Sequence, residues 1–202
     1  MWPRTSLKTS SRAFLNSRRM KTTCIVLVLF CGAAGAAELR NVEVDRIAGR
    51  YILTSKIWFD ADIESIYGVF LDYDLRSRFS SFIVESRNVE PDASGQRRFY
   101  IRNHGCVWFF CQSFERNGHV EHQPLVFIRS TADPESSDFH ASLESWRFEP
   151  EGTGTLVAYD FEFEPKFWIP PVIGPYMLQQ KLRKDSVRAI NRIEAIAQER
   201  QQ

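Results

Sequence analysis

The clearest pattern of hydrophobic and polar positions lies between positions 157 and 164. Apolar residues there alternate strictly with mostly acidic ones: Val157, Tyr159, Phe161 and Phe163 against Ala158, Asp160, Glu162 and Glu164. This alternation predicts a β-strand with one buried face and one solvated face. Asp160 and Glu162 are therefore interpreted as solvated residues.

Further apolar runs upstream are separated by turn-rich segments. An extended region broken at Gly49 covers 42–47 and 51–59, and later runs cover 82–89, 97–103, 107–115, 125–131 and 139–148. The turn signals between the later runs are 91–95, Asn117-Gly118, Asp133-Pro134 and 150–154. Consecutive strands joined by short turns predict an antiparallel meander.

Two helical regions interrupt or follow the strands. Ile63, Ile66, Tyr67 and Phe70 have helical spacing after Asp60, which is the predicted N-terminal cap. That helix is expected to end at 71–74, where Asp72 and Asp74 bind local backbone groups, and a short second helix through Phe79 is expected to follow.

The C-terminal part begins with a proline-rich segment, 165–175, which excludes regular structure across it. A long helix then runs to about Gln198. Its apolar stripe consists of Met177, Leu178, Leu182, Ala189, Ile190, Ile193 and Ala197. Lys181, Arg183, Lys184, Arg188 and Arg192 form a basic face. A solvated outer face is favoured over a membrane-binding one, because Asp185, Glu194 and Glu199 dilute the positive charge.

The order of these elements predicts an α+β fold in a single domain, residues 38–202. We expect a curved antiparallel sheet of about six to seven strands gripping the long C-terminal helix, with one or two short helices after the first strand. A curved sheet that grips a helix leaves a space between the two.

Residues 1–37 have the layout of a secretory signal peptide. They contain no acidic residue, six basic residues, an apolar run from Cys24 to Phe30, and then small residues. The apolar run is too short to cross a bilayer, which takes about 20 residues. The predicted cut is just before Ala37 or Glu38. Residues 1–19 are also consistent with a mis-called start, with translation beginning at Met20.

Three other interpretations apply to this segment. Arg18-Arg19 fits a twin-arginine signal only in part, because the residues that should follow are absent. Cys31 as a lipoprotein acceptor is disfavoured by the bulky Phe30 before it. An uncleaved N-terminal anchor is the third. The favoured location is the periplasm of a Gram-negative bacterium.

Charge excludes one class of partner. All 25 acidic residues lie after position 37, against 20 of the 26 basic ones, so the mature protein is acidic although the whole chain has a formal charge of +1. No basic patch suited to nucleic acid remains.

Two cysteines, Cys106 and Cys111, remain after the predicted cut. An even pair in an exported chain suggests a disulfide. In one straight strand, however, five residues span about 16 Å and the two side chains point to opposite faces. Either a turn or bulge interrupts this stretch, or both thiols stay free. A metal site is disfavoured because no other Cys completes one.

Motifs of catalysis and cofactor binding are not found in the sequence. There is no nucleophile elbow, zinc-protease helix, phosphate-binding glycine loop or dinucleotide fingerprint. His119 and His122 resemble a metal pair but are predicted to lie in a polar hairpin loop without a third ligand. Arg98 and Arg102 share a strand face, where structural or solvated roles are favoured over binding of an anionic head group. We expect no metal, no cofactor and no catalytic residue.

Three segments carry a resemblance to a known superfamily: residues 59–74, beginning Phe-Asp-Ala-Asp-Ile-Glu; residues 154–160, Gly-Thr-Leu-Val-Ala-Tyr-Asp; and residues 167–175 with the following helix. They resemble the START/helix-grip (SRPBCC) superfamily, and look closest to exported bacterial members of its polyketide cyclase and coenzyme Q-binding branch. The resemblance covers roughly residues 42–198. It implies a cavity between the sheet and the long helix that holds an apolar ligand, but it does not identify the ligand.

Candidate wall residues of that cavity are the large apolar side chains of the strands, the proline-rich segment and the start of the long helix. They are Phe99, Ile101, Phe110, Ile128, Trp146, Tyr159, Phe161, Phe163, Phe167, Trp168, Tyr176 and Met177. The segment 165–175 is also a candidate for transient membrane contact.

Three functions compete. The favoured one is binding or carrying of a lipid, quinone or polyketide-like molecule in the cell envelope. A cyclase or aromatase is the second; a buried Arg or His facing the cavity would favour it, and a wholly apolar wall would exclude it. The third is an interaction module whose cavity is filled by its own side chains. The oligomeric state is not predicted.

Overall fold

The computed structural model describes residues 36–107, 110–169 and 175–201, with side chains except at 107, 110, 175–178, 181 and 182. The strands are β1 Glu38–Ile47, β2 Arg50–Phe59, β3 Ile83–Val89, β4 Arg97–Val107, β5 Phe110–Gln123, β6 Phe127–Ala132, β7 Phe139–Glu151 and β8 Gly154–Pro165. The helices are α1 Ile63–Leu71, α2 Arg76–Phe79 and α3 Pro175–Gln201, with 3-10 turns at Tyr73–Leu75 and Pro134–Ser136. The predicted signal peptide falls almost wholly outside the described residues.

The strands form one antiparallel sheet in the order β1-β2-β8-β7-β6-β5-β4-β3. The predicted α+β class, with a curved antiparallel sheet and a long C-terminal helix, is confirmed, but the strand count of six to seven was too low. The first extended region is two paired strands, because Ala48 and Gly49 (φ 51° and 89°) form a two-residue hairpin turn. The two short helices consequently follow the second strand.

The β4–β5 hairpin is longer than the sequence predicted. Asn117-Gly118 is not a turn, because β5 runs through it and pairs with both β4 and β6. A Cβ atom at Gly118 would lie 2.0 Å from the Thr131 carbonyl oxygen, so the close approach of β6 requires glycine there. His119 and His122 therefore lie in a strand, and their predicted loop was wrong.

Helix α1 begins two residues later in the acidic segment than predicted. Asp62, not Asp60, is its N-terminal cap, and its carboxylate accepts a 2.7 Å hydrogen bond from the Ser65 amide. Asp72 does bind local backbone, accepting from the Asp74 amide at 3.1 Å. Asp74 instead binds the more distant Asn88 amide at 2.9 Å.

The helices cover one face of the sheet, which is termed the inner face. Tyr67, Phe70 and Tyr73 pack on the rings of Phe148, Trp146 and Phe99, which project from β7 and β4. The C-terminal half of α3 completes the core with Ile190, Ile193, Ile196 and Ala197, each at most 5% exposed. Glu194 was predicted to lie on the solvated side of α3, but it is buried at 6% exposure.

The other face of the sheet, the outer face, is solvated as predicted. Asp160 pairs with Arg147 at 2.7 Å and Glu162 pairs with Arg50 at 2.6 Å. Arg98 and Arg102 also pair there, with Asp133 at 3.6 Å and Glu85 at 2.9 Å. Three of these pairs link neighbouring strands, and the fourth joins β4 to Asp133 just after β6, which accounts for the acidic and basic residues of that face.

Candidate ligand-binding site

Three aromatic rings of β8 lie on the inner face in line, and Tyr159, Phe161 and Phe163 are termed the aromatic wall. Their ring centroids are 6.4 and 4.7 Å apart along the strand. Trp146 stacks on Tyr159 at 3.8 Å, and Tyr51 stacks on Phe163 at 5.2 Å. The alternation that predicted this strand also places the three rings on one side.

The aromatic wall remains partly accessible, although it lies on the covered face and β8 has strands on both sides. By contrast, Val157 on the same strand and Ile128 on β6 are completely buried. Burial and the neighbouring Glu144 charge raise the pKa of Tyr159 well above its usual value. The wall therefore offers a partly accessible apolar surface on the covered face of the sheet, of the kind that small-molecule sites use.

A charged cluster adjoins this wall. The Glu144 carboxylate (β7) accepts hydrogen bonds from Arg116 (β5) at 3.1 Å and from the Tyr159 hydroxyl at 3.0 Å. Arg76 of α2 lies 3.7 Å from the same carboxylate. Ser130 and Ser142 complete the cluster, the first donating to Glu144 at 3.1 Å and the second accepting from Arg116 at 2.9 Å. These contacts join the sheet to the helical segment between β2 and β3.

The cluster is buried and carries a net positive charge. Arg76 and Arg116 are each 3% exposed and Glu144 is 6% exposed, so two guanidinium groups face one carboxylate. Aromatic rings partly compensate for the excess charge: Arg76 lies 4.5 Å from the Tyr73 centroid, and Arg116 lies 4.8 Å from that of Phe161. Among the described residues, the Arg76 Nε and Trp146 Nε1 atoms have no hydrogen-bond partner.

The two arginines determine the protonation state of Glu144. Burial alone would raise the pKa of Glu144, but the charges of Arg116 and Arg76 outweigh burial and hold it below its usual range. Glu144 is therefore ionised at neutral pH. Tyr73 is also buried, and burial raises the pKa of its phenol.

Residues 59–184, more than half of the chain, match the model of a family described as polyketide cyclase / dehydrase and lipid transport. The chain belongs to this family. A comparison with curated protein sequences finds no match.

Several solved structures share the fold of this chain at low sequence identity. Human STARD10 is 12% identical, with a TM-score of 0.58 over 85% of this chain and 78% of its own. The STAR-related lipid transfer protein from Xanthomonas axonopodis is 13% identical, with 0.57 over 83% and 100%. The Zhui aromatase/cyclase from Streptomyces sp. R1128 is 13% identical, with 0.56 over 76% and 96%. The predicted START/helix-grip membership is confirmed, whereas the relation to coenzyme Q-binding proteins stays a prediction.

Eleven of the twelve predicted wall residues divide into three groups, and the twelfth, Trp168, is a surface residue at 67% exposure. Phe99, Ile101, Ile128 and Trp146 are core residues, from 0 to 9% exposed. The aromatic wall is accessible, and Phe167 packs on Phe114 and Phe139 at 5.3 and 5.8 Å. The side chains of Phe110, Tyr176 and Met177 lie outside the described residues.

Sequence reasoning missed the charged cluster. Strand parity carried part of the signal, because Ser142 and Glu144 share a face with Trp146 and Phe148. Arg116 likewise shares a face with Val120. Arg76 had no such signal, because its position depends on how the segment after α1 packs on the sheet.

The cysteine pair lies on the outer face, at the tip of the β4–β5 hairpin. Cys106 and Cys111 form a disulfide with a Cα–Cα distance of 4.0 Å. The stretch is not one straight strand, because Cys106 lies near the end of β4 and Cys111 near the start of β5, and the antiparallel register sets the two cysteines opposite each other. His104 lies beside them, with its ligand atom within 4.8 Å of both sulfurs, but the disulfide leaves no thiolate for a metal.

Proposed function

We propose that the protein binds and carries a hydrophobic small molecule in a space between the inner face of the sheet and α3. The observation that carries this proposal is the accessible aromatic wall on an otherwise buried face. Rings that stack in line along a strand offer a continuous apolar surface to a flat or elongated ligand. Membership of a family described by polyketide cyclisation and lipid transport supports the same conclusion.

The charged cluster suggests where a polar end of the ligand lies. The Tyr159 hydroxyl belongs both to the wall and to the cluster, because it donates to Glu144. A ligand lying along the wall with its polar end at Tyr159 would satisfy that end while its apolar part covers the rings. We therefore expect an amphipathic ligand, such as a lipid, quinone or polyketide-like molecule, to bind more tightly than a pure hydrocarbon.

The proposed setting is the cell envelope. The layout of residues 1–37, which is that of an export signal, supports this setting, with the mature protein in the periplasm. Among the described residues, no helix combines the length and apolar character needed to span a bilayer.

The proposed membrane contact combines two neighbouring segments. Trp168 is 67% exposed and Ile47, at the β1–β2 turn, is 62% exposed. A surface pocket of about 370 Å³ joins the segments, since Arg46 and Gly49 line it together with Phe167–Ile169. Exposed Trp and Ile beside Arg suit the membrane interface. Replacing Trp168 with Ser should weaken sedimentation with lipid vesicles, whereas replacing Val126 in the β5–β6 turn, 46% exposed, should not.

A displacement assay tests the ligand proposal. The protein is titrated with a fluorescent apolar probe, and the probe is then displaced with fatty acids and quinones. Phe161→Ala removes the central ring of the wall and should weaken probe binding by about tenfold. Glu162→Gln is the matched control, because it changes the next residue on the outer face. Equal binding by both variants and the wild type, with each shown to be folded by urea unfolding, would contradict the proposal.

A cyclase or aromatase is the second candidate, and the charged cluster is what favours it. The wall is not wholly apolar, since Arg116 contacts Phe161 and Glu144 contacts Tyr159. In an aldol-type cyclisation of a polyketone, negative charge develops on oxygen, and a buried guanidinium can stabilise it. The test is product analysis of a linear polyketone incubated with wild type and with Arg116→Gln. A carrier binds this compound unchanged, whereas a cyclase converts it in wild type and loses conversion in the variant.

A further inference from the structure

The carboxylate of Glu194 on α3 is buried and binds the backbone just before β1. Glu194 is 6% exposed, and each of its oxygens accepts one backbone hydrogen bond. Oε1 accepts from the Asp60 amide at 2.8 Å, and Oε2 accepts from the Ala37 nitrogen at 2.9 Å. Ala37 also packs against the hydrophobic core. The last residue before β1 is thus part of the fold.

The partners of Glu194 in the described part of the chain are backbone amides and not cationic side chains. Among the side chains that the structure describes, none of the lysines, arginines or histidines pairs with it. Buried carboxylates in folded proteins are normally paired with a cation, because an uncompensated buried charge is costly. Two amide donors satisfy the oxygens, but they do not neutralise the charge. Within the described part of the chain, this buried carboxylate therefore has no counter-charge before processing.

Proteolytic processing would supply that counter-charge at the right atom. Ala34-Gly35-Ala36 places small residues three positions and one position before Ala37, which is the pattern that a signal peptidase reads. A cut after Ala36 turns the Ala37 nitrogen from a neutral amide into an ammonium group, still 2.9 Å from Oε2. A cut after Ala37 would remove this donor and leave Oε2 without a partner.

We propose that the mature chain begins at Ala37 and that its α-ammonium group forms a buried ion pair with Glu194. This inference rests on the proposed export of the protein and chooses between the two cuts that the sequence allows. The ion pair links the start of edge strand β1 to α3. Because Glu194 also accepts a hydrogen bond from the Asp60 amide, β1 and α3 are linked to the segment that leads into α1 as well. Removal of the signal peptide thereby completes the fold.

The first test is the mass of the exported protein. The full chain is expressed in a Gram-negative host, and the mature form is recovered from the periplasm. Intact mass and N-terminal sequencing should give a chain that starts at Ala37. A start at Glu38, or a chain that keeps its leader, would overturn the inference. Ligand binding does not enter this measurement, so its result is independent of the proposed carrier function.

The second test measures the role of Glu194 in the mature protein. Glu194→Gln keeps the size of the side chain and one acceptor oxygen but removes the charge, and it should lower Tm by about 5 °C or more. Glu199→Gln is the control on the same helix, since Glu199 is exposed and pairs with Arg78 at 3.4 Å. Its Tm should stay close to that of the wild type.

Reactivity of the N-terminal amine separates an ion pair from a general packing role. In the folded wild type, the paired ammonium should react slowly with an amine-labelling reagent, while exposed lysines react at their usual rate. In Glu194→Gln the N-terminus should react several-fold faster. Equal N-terminal labelling in the wild type and both variants would contradict the ion pair, even if Tm fell.

Discussion

The two faces of the central sheet hold the same kinds of charged residue under opposite conditions. Glu144 on the inner face contacts Arg116 at 3.1 Å, and Glu162 on the adjacent strand, facing outward, contacts Arg50 at 2.6 Å. The outer pair is shorter, yet its side chains are 40 to 50% exposed, while those of the inner pair are at most 8% exposed. The N–O distance of an ion pair therefore does not by itself predict how much the pair contributes to stability. If one residue of the outer pair is removed, water solvates the charge that remains. If one residue of the buried inner pair is removed, the remaining charge has no such replacement.

The largest expected effect comes from removing the inner carboxylate. Glu144→Ala leaves two buried guanidinium groups without their anion, and should lower the free energy of unfolding by about 3–5 kcal/mol. Glu162→Ala on the outer face should change it by at most about 1 kcal/mol. Urea unfolding of both variants measures the difference. Equal losses would remove the distinction between the two faces.

The pH dependence of stability provides a second test of the inner carboxylate. The pKa of Glu144 is held below its usual range in the folded protein by Arg116 and Arg76, so its contribution to stability is complete above the unfolded-state pKa of about 4.3. That contribution is lost as the pH falls below this value, through the lowered folded-state pKa. Unfolding free energies measured between pH 7 and pH 3 should therefore fall more steeply for the wild type than for Glu144→Gln. Parallel profiles would contradict this role for Glu144.

The disulfide on the outer face should matter less than the inner cluster. Cys106 and Cys111 are separated by five positions, and closing so short a loop stabilises the fold by about 2 kcal/mol. Replacing both with Ser should lower the unfolding free energy by that amount. Ligand affinity should not change, since both cysteines lie on the face opposite the aromatic wall. A loss of ligand binding in the folded variant would show that the two faces are coupled.

The smallest expected effect is at the β1–β2 turn. Ala48 has a φ of 51°, a region that favours glycine, and it precedes Gly49 in the two-residue turn. Ala48→Gly should stabilise the protein by about 0.5 kcal/mol, because relief of backbone strain exceeds the added entropy of the unfolded chain. A destabilised variant would show that the turn is not strained at this position.

The sequence predicted the features that depend on local periodicity. Alternation along 157–164 identified the faces of β8, and the proline-rich segment with the stripe of Ile190, Ile193 and Ala197 identified the start and buried side of α3. Asn117-Gly118 misled the prediction, because a dipeptide typical of turns is required here by the close approach of β6. No local pattern distinguishes these two uses of glycine.

The missed site residues depend on long-range packing. Glu144 and Arg116 lie 28 positions apart, and they meet because β5 and β7 flank the same strand, β6. Glu194 was assigned to a solvated face because it is charged. Its burial follows from the Ala37 and Asp60 amides, which lie 157 and 134 positions away. A charged residue in a buried register can be recognised only after the strand order is known.

Native mass spectrometry of the mature protein, purified from an oxidising compartment and followed by organic extraction, tests the central claim most directly. The accessible aromatic wall predicts that an apolar or amphipathic molecule is bound in the space between the sheet and α3. The wild type should carry this mass, or take it up from a panel of quinones and fatty acids, and Phe161→Ala should retain less of it. If the wild-type protein carries no ligand and binds none of the quinones or fatty acids, the carrier function is contradicted. That result would favour a core filled by the protein's own side chains.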